Sequence, residues 1–292
     1  MISREATLER ERRWARPAGI SALLVTPLYF VAQYSQQSLR GSSSGGLFTD
    51  VLPVIDANAG ALVLPAVLGA LSFLAMIAPL VYLFEAARAR SERVRLAMIG
   101  FAVLAPVLLA IQAVMVIVTQ TQIAADFVAQ STPGGDVYTL FNEIVESSTA
   151  NEIASSVGVP AGVALLVALI YIPLQSMRVG LLSRFMATFV MALAVLTIIP
   201  VVPVPAIQLF ISLWFFFLGL VILDKVRRAR PPAWAAGVAM PWPKPGEPAR
   251  EPEQQASPED FTEGRATETT TEPNPNAARR ERAKRKKRKR RT

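Results

Sequence analysis

Residues 96–125, LAMIGFAVLAPVLLAIQAVMVIVTQTQIAA, decide the fold of this chain. None of these thirty residues is Asp, Glu, Lys or Arg. A helix needs about 20 mostly apolar residues to cross the roughly 30 Å hydrocarbon core of a bilayer. The stretch is long enough for that crossing and has no charge to bury, so it predicts a transmembrane helix.

The composition of the whole chain is also typical of a membrane protein. Of its 292 residues 52% are hydrophobic, and none is Cys or His. With a mean hydropathy of +0.38, the chain falls among membrane proteins. The missing His and Cys exclude zinc proteases, Ser/His hydrolases, haem-binding bundles and thiol oxidoreductases, and no phosphate-binding or dinucleotide motif is found. We therefore predict a non-enzymatic protein with no catalytic residue, no cofactor and no metal.

Six apolar segments predict an all-α, polytopic transmembrane helix bundle. They are residues 20–36, 59–84, 96–120, 157–175, 181–201 and 206–223. Residues 1–19 form a basic segment before the bundle, in which a short interfacial helix is expected to end near Trp14 and Pro17. The predicted domains are this segment (1–19), the bundle (20–224), a Pro-rich linker (225–278) and a polybasic tail (279–292).

Basic residues predict the orientation of the bundle. Fifteen Lys and Arg flank the spans on one side, whereas Arg40 is alone on the other. Cytoplasmic flanks retain Lys and Arg, so both termini are predicted in the cytoplasm of a bacterium, with the bundle in the cytoplasmic membrane.

The predicted external loop, residues 122–156, is acidic and contains one amphipathic segment. Within residues 138–154 the apolar side chains Leu140, Phe141, Ile144 and Val145 share one side of a helix. We expect this short helix to lie on the membrane or to cap the bundle.

The Pro-rich linker and the tail follow the last span. Residues 231–278 contain ten of the chain's 22 prolines, which predicts a disordered linker with Trp234 and Trp242 at the headgroup level. The tail concentrates eleven basic residues, Arg279, Arg280, Arg282, Lys284, Arg285, Lys286, Lys287, Arg288, Lys289, Arg290 and Arg291. Such a run binds anionic lipid headgroups or RNA, including ribosomal RNA, or serves only topology and solubility. The working hypothesis is binding of anionic lipid.

A small permease for a neutral or weakly polar solute is the alternative. Apart from Arg184 in the first turn of the fifth segment, no Asp, Glu, Lys or Arg lies inside a predicted span, where transporters usually carry a charged residue. Gln112 and Gln208 are the candidates for a solute path, and Pro79, Pro106 and Pro173 are expected to kink the spans around it.

The layout of a basic N-terminus, six spans, a basic turn after the second span and an acidic loop after the third resembles a family of membrane proteins. These are the small, functionally uncharacterised six-span proteins of GC-rich, actinobacterial-type bacteria, and the resemblance covers residues 15–225. Arg outnumbers Lys 24 to 6, as in proteins of GC-rich genomes. The basic tail also looks like the ribosome-docking tail of membrane insertases, although the intramembrane Arg of those proteins is missing here.

Overall fold

The computed structural model describes residues 4–40, 48–132, 135–197, 204–226, 231–240 and 242. Within these ranges the protein is helical and has no strand, which confirms the all-α class. The helices are α1 (Arg4–Leu39), α2 (Phe48–Ala57), α3 (Val63–Leu74), α4 (Ile77–Arg90), α5 (Ile99–Gln130), α6 (Val137–Ser147), α7 (Thr149–Arg178), α8 (Arg184–Leu196), α9 (Val204–Ile222) and α10 (Ala233–Ala236).

Five helical segments are long and apolar enough to cross a membrane. They are Glu5–Leu39, Val63–Arg90, Leu96–Gln130, Thr149–Arg178 and Pro205–Ile222. The predicted span at residues 181–201 corresponds to α8, a shorter apolar helix of 13 residues, and residues 198–203 lie outside the described ranges. Large apolar side chains such as Leu104, Val159 and Phe217 are exposed on these segments, as expected for surfaces that face lipid.

The N-terminal basic segment and the first span form a single helix. α1 runs without a break through Trp14 and Pro17, so the prediction of a separate interfacial helix is wrong. The reason is tertiary: Arg10 and Glu11 bind side chains of α4. The charged half of α1 is therefore held by the bundle.

α1 and α9 approach each other closely through two glycines. A Cβ atom on Gly219 would lie 2.8 Å from the carbonyl oxygen of Gly19. Two side-chain hydrogen bonds join the same helices: Thr26 Oγ1 donates to the carbonyl of Ser212 at 2.7 Å, and Tyr29 Oη donates to that of Pro205 at 2.9 Å. Small residues and such hydrogen bonds replace the hydrophobic effect between helices in lipid.

The second predicted span is broken in the middle. α3 ends at Leu74 and α4 starts at Ile77, two residues before Pro79. Pro79 has no N–H to donate to the carbonyl of Ala75, four residues earlier. Ser21 Oγ of α1 donates to that carbonyl at 2.7 Å, which satisfies it inside the bundle.

The end of the bundle near Leu39 is covered by two short helices. α2 and α6 pack on the C-terminal half of α5, and Ile144 is buried beside Leu140, Phe141 and Val145. Of the two positions expected for this helix, on the membrane or on the end of the bundle, the structure shows the second. Asp136 caps α6 by accepting hydrogen bonds from Thr139 and Tyr138, and the side-chain bond from Thr139 is the main cause of its lowered pKa.

The sequence predicted a long loop, residues 122–156, at this end of the bundle, but the structure has mainly helix there. α5 continues to Gln130 and α7 begins at Thr149, so most of residues 122–156 is helical. α2 was also missed, because its ten residues contain Pro53 and two aspartates and have no long apolar run.

Candidate functional site

A crevice opens between the N-terminal half of α1 and α4. Its volume is about 470 Å³, within the roughly 300–1,000 Å³ of typical ligand pockets. The lining is mostly apolar: Trp14, Pro17, Ala18, Leu74, Ile77, Ala78, Val81, Tyr82, Ala86 and Ala89, with Thr7, Arg10, Glu11 and Glu85 as its polar members. The small side chains of the alanines leave the space, and Trp14 on the rim is 58% exposed.

Two ion pairs connect α1 with α4 at the charged end of the crevice. Arg10 Nη2 lies 2.8 Å from Glu85 Oε2, and this pair is open to solvent. The second pair is buried: the Arg90 side chain is 0% exposed and that of Glu11 is 11% exposed. Arg90 donates to both carboxylate oxygens of Glu11 through Nη1 and Nη2. This two-bond geometry fixes the distance between the helices.

Arg90 also holds a segment that follows the last long helix. Its Nη2 donates to the carbonyl of Ala233 at 3.1 Å, and its guanidinium carbon lies 5.8 Å from the ring centre of Trp234. On its own helix, Nη1 donates to the carbonyl of Ala86 at 2.9 Å. Trp234 stacks on Tyr82 with ring centres 5.5 Å apart. Residues 231–240 and Trp242 are called here the clasp, which is thus held on α4 through Ala233 and Trp234.

The clasp is equally tied to the loop between α7 and α8. Trp234 Nε1 donates to the carbonyl of Leu181 and Trp242 Nε1 to that of Leu182, both at 2.8 Å. The Met240 amide donates to the carbonyl of Val179 at 3.0 Å. The structure here differs from the prediction of a disordered linker, because both indoles find backbone acceptors and Trp234 is buried. Residues 243–278 of the linker lie outside the described ranges.

Gly180 allows the clasp to approach the loop between α7 and α8. Its φ is +80°, which L side chains rarely adopt, and a Cβ atom would lie 2.0 Å from the carbonyl oxygen of Met240. Tyr82 lines the crevice and stacks on Trp234 of the clasp. Glu11 also lines the crevice and binds Arg90, which in turn binds the clasp. A change in the crevice therefore reaches the clasp directly through Tyr82 and indirectly through Glu11 and Arg90.

The two predicted path residues do not line the crevice. Gln112 of α5 packs against α7, where a Cβ atom on Gly158 would lie 2.4 Å from its Nε2. Gln208 lies on α9, and its Nε2 is buried without a hydrogen-bond partner among the described residues. Neither observation tests a solute path, so the permease hypothesis stays a prediction. The tail residues from Arg279 to Arg291 lie outside the described ranges.

Sequence reasoning missed most of this site. Glu11 and Arg90 lie in stretches that contain several acidic and basic residues. Nothing in those stretches indicates which of the charged residues is buried or paired. The one available signal was the pair of tryptophans in the Pro-rich segment, because a disordered linker is poor in aromatic residues.

Comparison of the chain with models of protein families, with curated proteins and with solved structures gives no match. The resemblance to six-span proteins of GC-rich bacteria therefore stays a prediction. Among the described residues no group of three or more His, Cys, Asp or Glu is arranged to hold a metal ion.

Proposed function

We propose that this chain is a non-enzymatic, six-span protein of a bacterial cytoplasmic membrane that binds anionic phospholipid at the cytoplasmic face. Both termini lie in the cytoplasm in this proposal, so that the start of α1, the clasp and the tail share one side. The sixth crossing in this proposal is the apolar segment that contains α8. The positive-inside distribution of Lys and Arg supports this orientation.

The crevice between α1 and α4 carries the proposal. Its apolar part matches the acyl chain of a lipid, and its charged and aromatic rim matches the headgroup. In the proposed orientation the rim lies at the headgroup level, where tryptophans such as Trp14 concentrate. Arg10 is the basic residue among the described lining of the crevice, and the exposed Arg13 beside Trp14 adds positive charge for an anionic headgroup.

The polybasic tail adds a second, less specific attraction. Each Lys or Arg near an anionic leaflet contributes about 1 kcal/mol. Even half of the eleven basic residues engaged would therefore hold the tail to the membrane. The crevice would select one lipid, whereas the tail would respond to the mean charge of the surface.

Filling the crevice is expected to remove a bound lipid. In Ala78→Phe the new ring occupies the space that the small side chain of Ala78 leaves open. We expect the wild-type protein, purified through a delipidating wash, to bind one phosphatidylglycerol. The variant should bind it about tenfold less tightly, which is about 1.4 kcal/mol of binding free energy, since the ring and the lipid compete for the same space. Native mass spectrometry with phosphatidylglycerol and phosphatidylcholine measures both affinity and headgroup preference.

The matched control is Ala192→Phe, which adds the same ring at an exposed alanine of α8. Its lipid affinity is expected to equal that of the wild type. If Ala78→Phe and Ala192→Phe retain the lipid equally well, the crevice is not a lipid site.

The tail is expected to bind vesicles in proportion to their negative charge. A peptide of residues 279–292 should float with vesicles rich in phosphatidylglycerol and remain behind with phosphatidylcholine alone. Raising the salt should release it, because exposed charges are screened. A peptide with glutamine at all eleven basic positions is the control. Displacement from vesicles by competing RNA would instead identify nucleic acid or ribosomes as the partner of the tail.

A further inference from the structure

A second cavity lies at the other end of α1. Its volume is about 310 Å³. The C-terminal part of α1 with the following Arg40 supplies one wall, and Pro205 and Leu209 of α9 supply the other. Phe30 lies at one end of the α1 wall and Arg40 at the other, ten residues or about 15 Å along the helix.

Arg40 is the charged residue among the described residues that line this cavity. Nη2 donates to Oε1 of Gln120 on α5, while Nε is buried and has no hydrogen-bond partner in the described part of the chain. In that same part no carboxylate pairs with Arg40. Burial lowers the pKa of Arg40 below its usual value, yet a guanidinium keeps its proton in proteins.

The rest of the α1 wall carries hydrogen-bonded side chains and further amide groups. Gln33 Nε2 donates to Tyr29 Oη at 2.9 Å, and Tyr29 donates in turn to the carbonyl of Pro205. Gln36 and Gln37 lie on the same wall, closer to Arg40 along the chain. The cavity thus has a cationic, amide-rich end and an apolar end formed by Phe30 and Leu209.

We propose that this cavity binds an amphipathic oxyanion, with its carboxylate or phosphate on Arg40 and its apolar part against Phe30 and Leu209. A guanidinium fork matches both anions with two parallel hydrogen bonds, and the ligand supplies the missing counter-charge. The same chemistry belongs to a phospholipid headgroup and to a soluble organic acid. The inference does not rest on the crevice, which lies at the opposite end of α1.

The test uses the full-length protein in a neutral detergent. Octyl phosphate and octanoate are the soluble probes, phosphatidylglycerol in mixed micelles is the lipid probe, and phosphatidylcholine is the uncharged comparison. Calorimetric titration gives the dissociation constant, and the ligand-dependent rise of the unfolding temperature checks it. Arg40→Gln is expected to weaken binding at least tenfold, and Arg40→Lys to restore part of it.

Arg12→Gln is the matched control, because it removes the same charge from an exposed position of α1. Its affinity is expected to equal that of the wild type. Saturable binding of a soluble probe identifies a solute as the ligand, and binding of phosphatidylglycerol alone identifies a lipid; either result supports the proposal. No saturable binding of any probe, or unchanged affinity in Arg40→Gln, overturns it.

Discussion

Replacing Gly180 by alanine is expected to release the clasp from the loop between α7 and α8. The new Cβ atom would lie 2.0 Å from the carbonyl oxygen of Met240, and this backbone atom cannot turn away as a side chain would. The left-handed φ of +80° adds strain of about 1–3 kcal/mol for a residue other than glycine. Each 1.4 kcal/mol changes an equilibrium tenfold, so the open state should become at least about tenfold more populated.

Thiol labelling measures this release cleanly, because the chain has no Cys of its own. Ala233→Cys places a thiol at a position that is 0% exposed in the closed clasp. Its reaction with a maleimide is expected to be slow in the wild-type background and at least about tenfold faster with Gly180→Ala. Ala235→Cys, on the exposed side of α10, should react equally fast in both.

Gly162→Ala controls for the substitution itself. Gly162 lies inside α7, and a Cβ atom there meets nothing within 4 Å. Alanine favours a helix over glycine by about 0.5–1 kcal/mol, so the protein should be unchanged or slightly more stable. Equal labelling of Ala233→Cys in the Gly180→Ala and Gly162→Ala backgrounds would contradict the role assigned to Gly180.

Removing the Glu11 carboxylate is expected to destabilise the bundle strongly. Glu11→Ala leaves the fully buried guanidinium of Arg90 without its counter-charge and without two hydrogen bonds. Breaking a buried pair in this way costs about 3–5 kcal/mol. Denaturant unfolding of the protein in detergent gives the change in the free energy of unfolding, and lipid affinity should fall with it because Glu11 also lines the crevice.

The neighbouring ion pair supplies the control. Arg10→Ala breaks a pair that joins the same two helices, but the Arg10 side chain is 55% exposed, so the cost should stay below about 1 kcal/mol. The double variant Glu11→Leu with Arg90→Met removes both charges, and it should recover most of the lost stability. If Glu11→Ala and Arg10→Ala lower the free energy of unfolding equally, burial of the Glu11–Arg90 pair does not increase its contribution to stability.

Together the two predictions separate local from global effects. A Cβ atom on Gly180 would meet Met240 and Ala233 of the clasp, so its substitution should open the clasp and leave α1 on α4. Glu11 supports both the crevice and, through Arg90, the clasp. Its substitution should therefore raise labelling of Ala233→Cys and weaken lipid binding at the same time.

The elements that depend on local composition were predicted correctly from the sequence. The charge-free run at residues 96–125 lies within the apolar segment Leu96–Gln130, most of it in α5, and the apolar face around Ile144 does cover the end of the bundle. Both follow from rules that act within one helix: the length of an apolar run and the 3.6-residue period. Helix ends were less accurate, because α1 and α5 continue through polar residues that tertiary contacts support.

By itself, the sequence determined that this protein is an all-α chain with several helices apolar enough to cross a membrane, and that His or Cys chemistry is excluded. Only the tertiary structure decided which charges meet. Glu11 and Arg90 are 79 residues apart, and Tyr82 stacks on a tryptophan more than 150 residues away. Such contacts leave no periodic signal in the chain, since each depends on how separate helices pack.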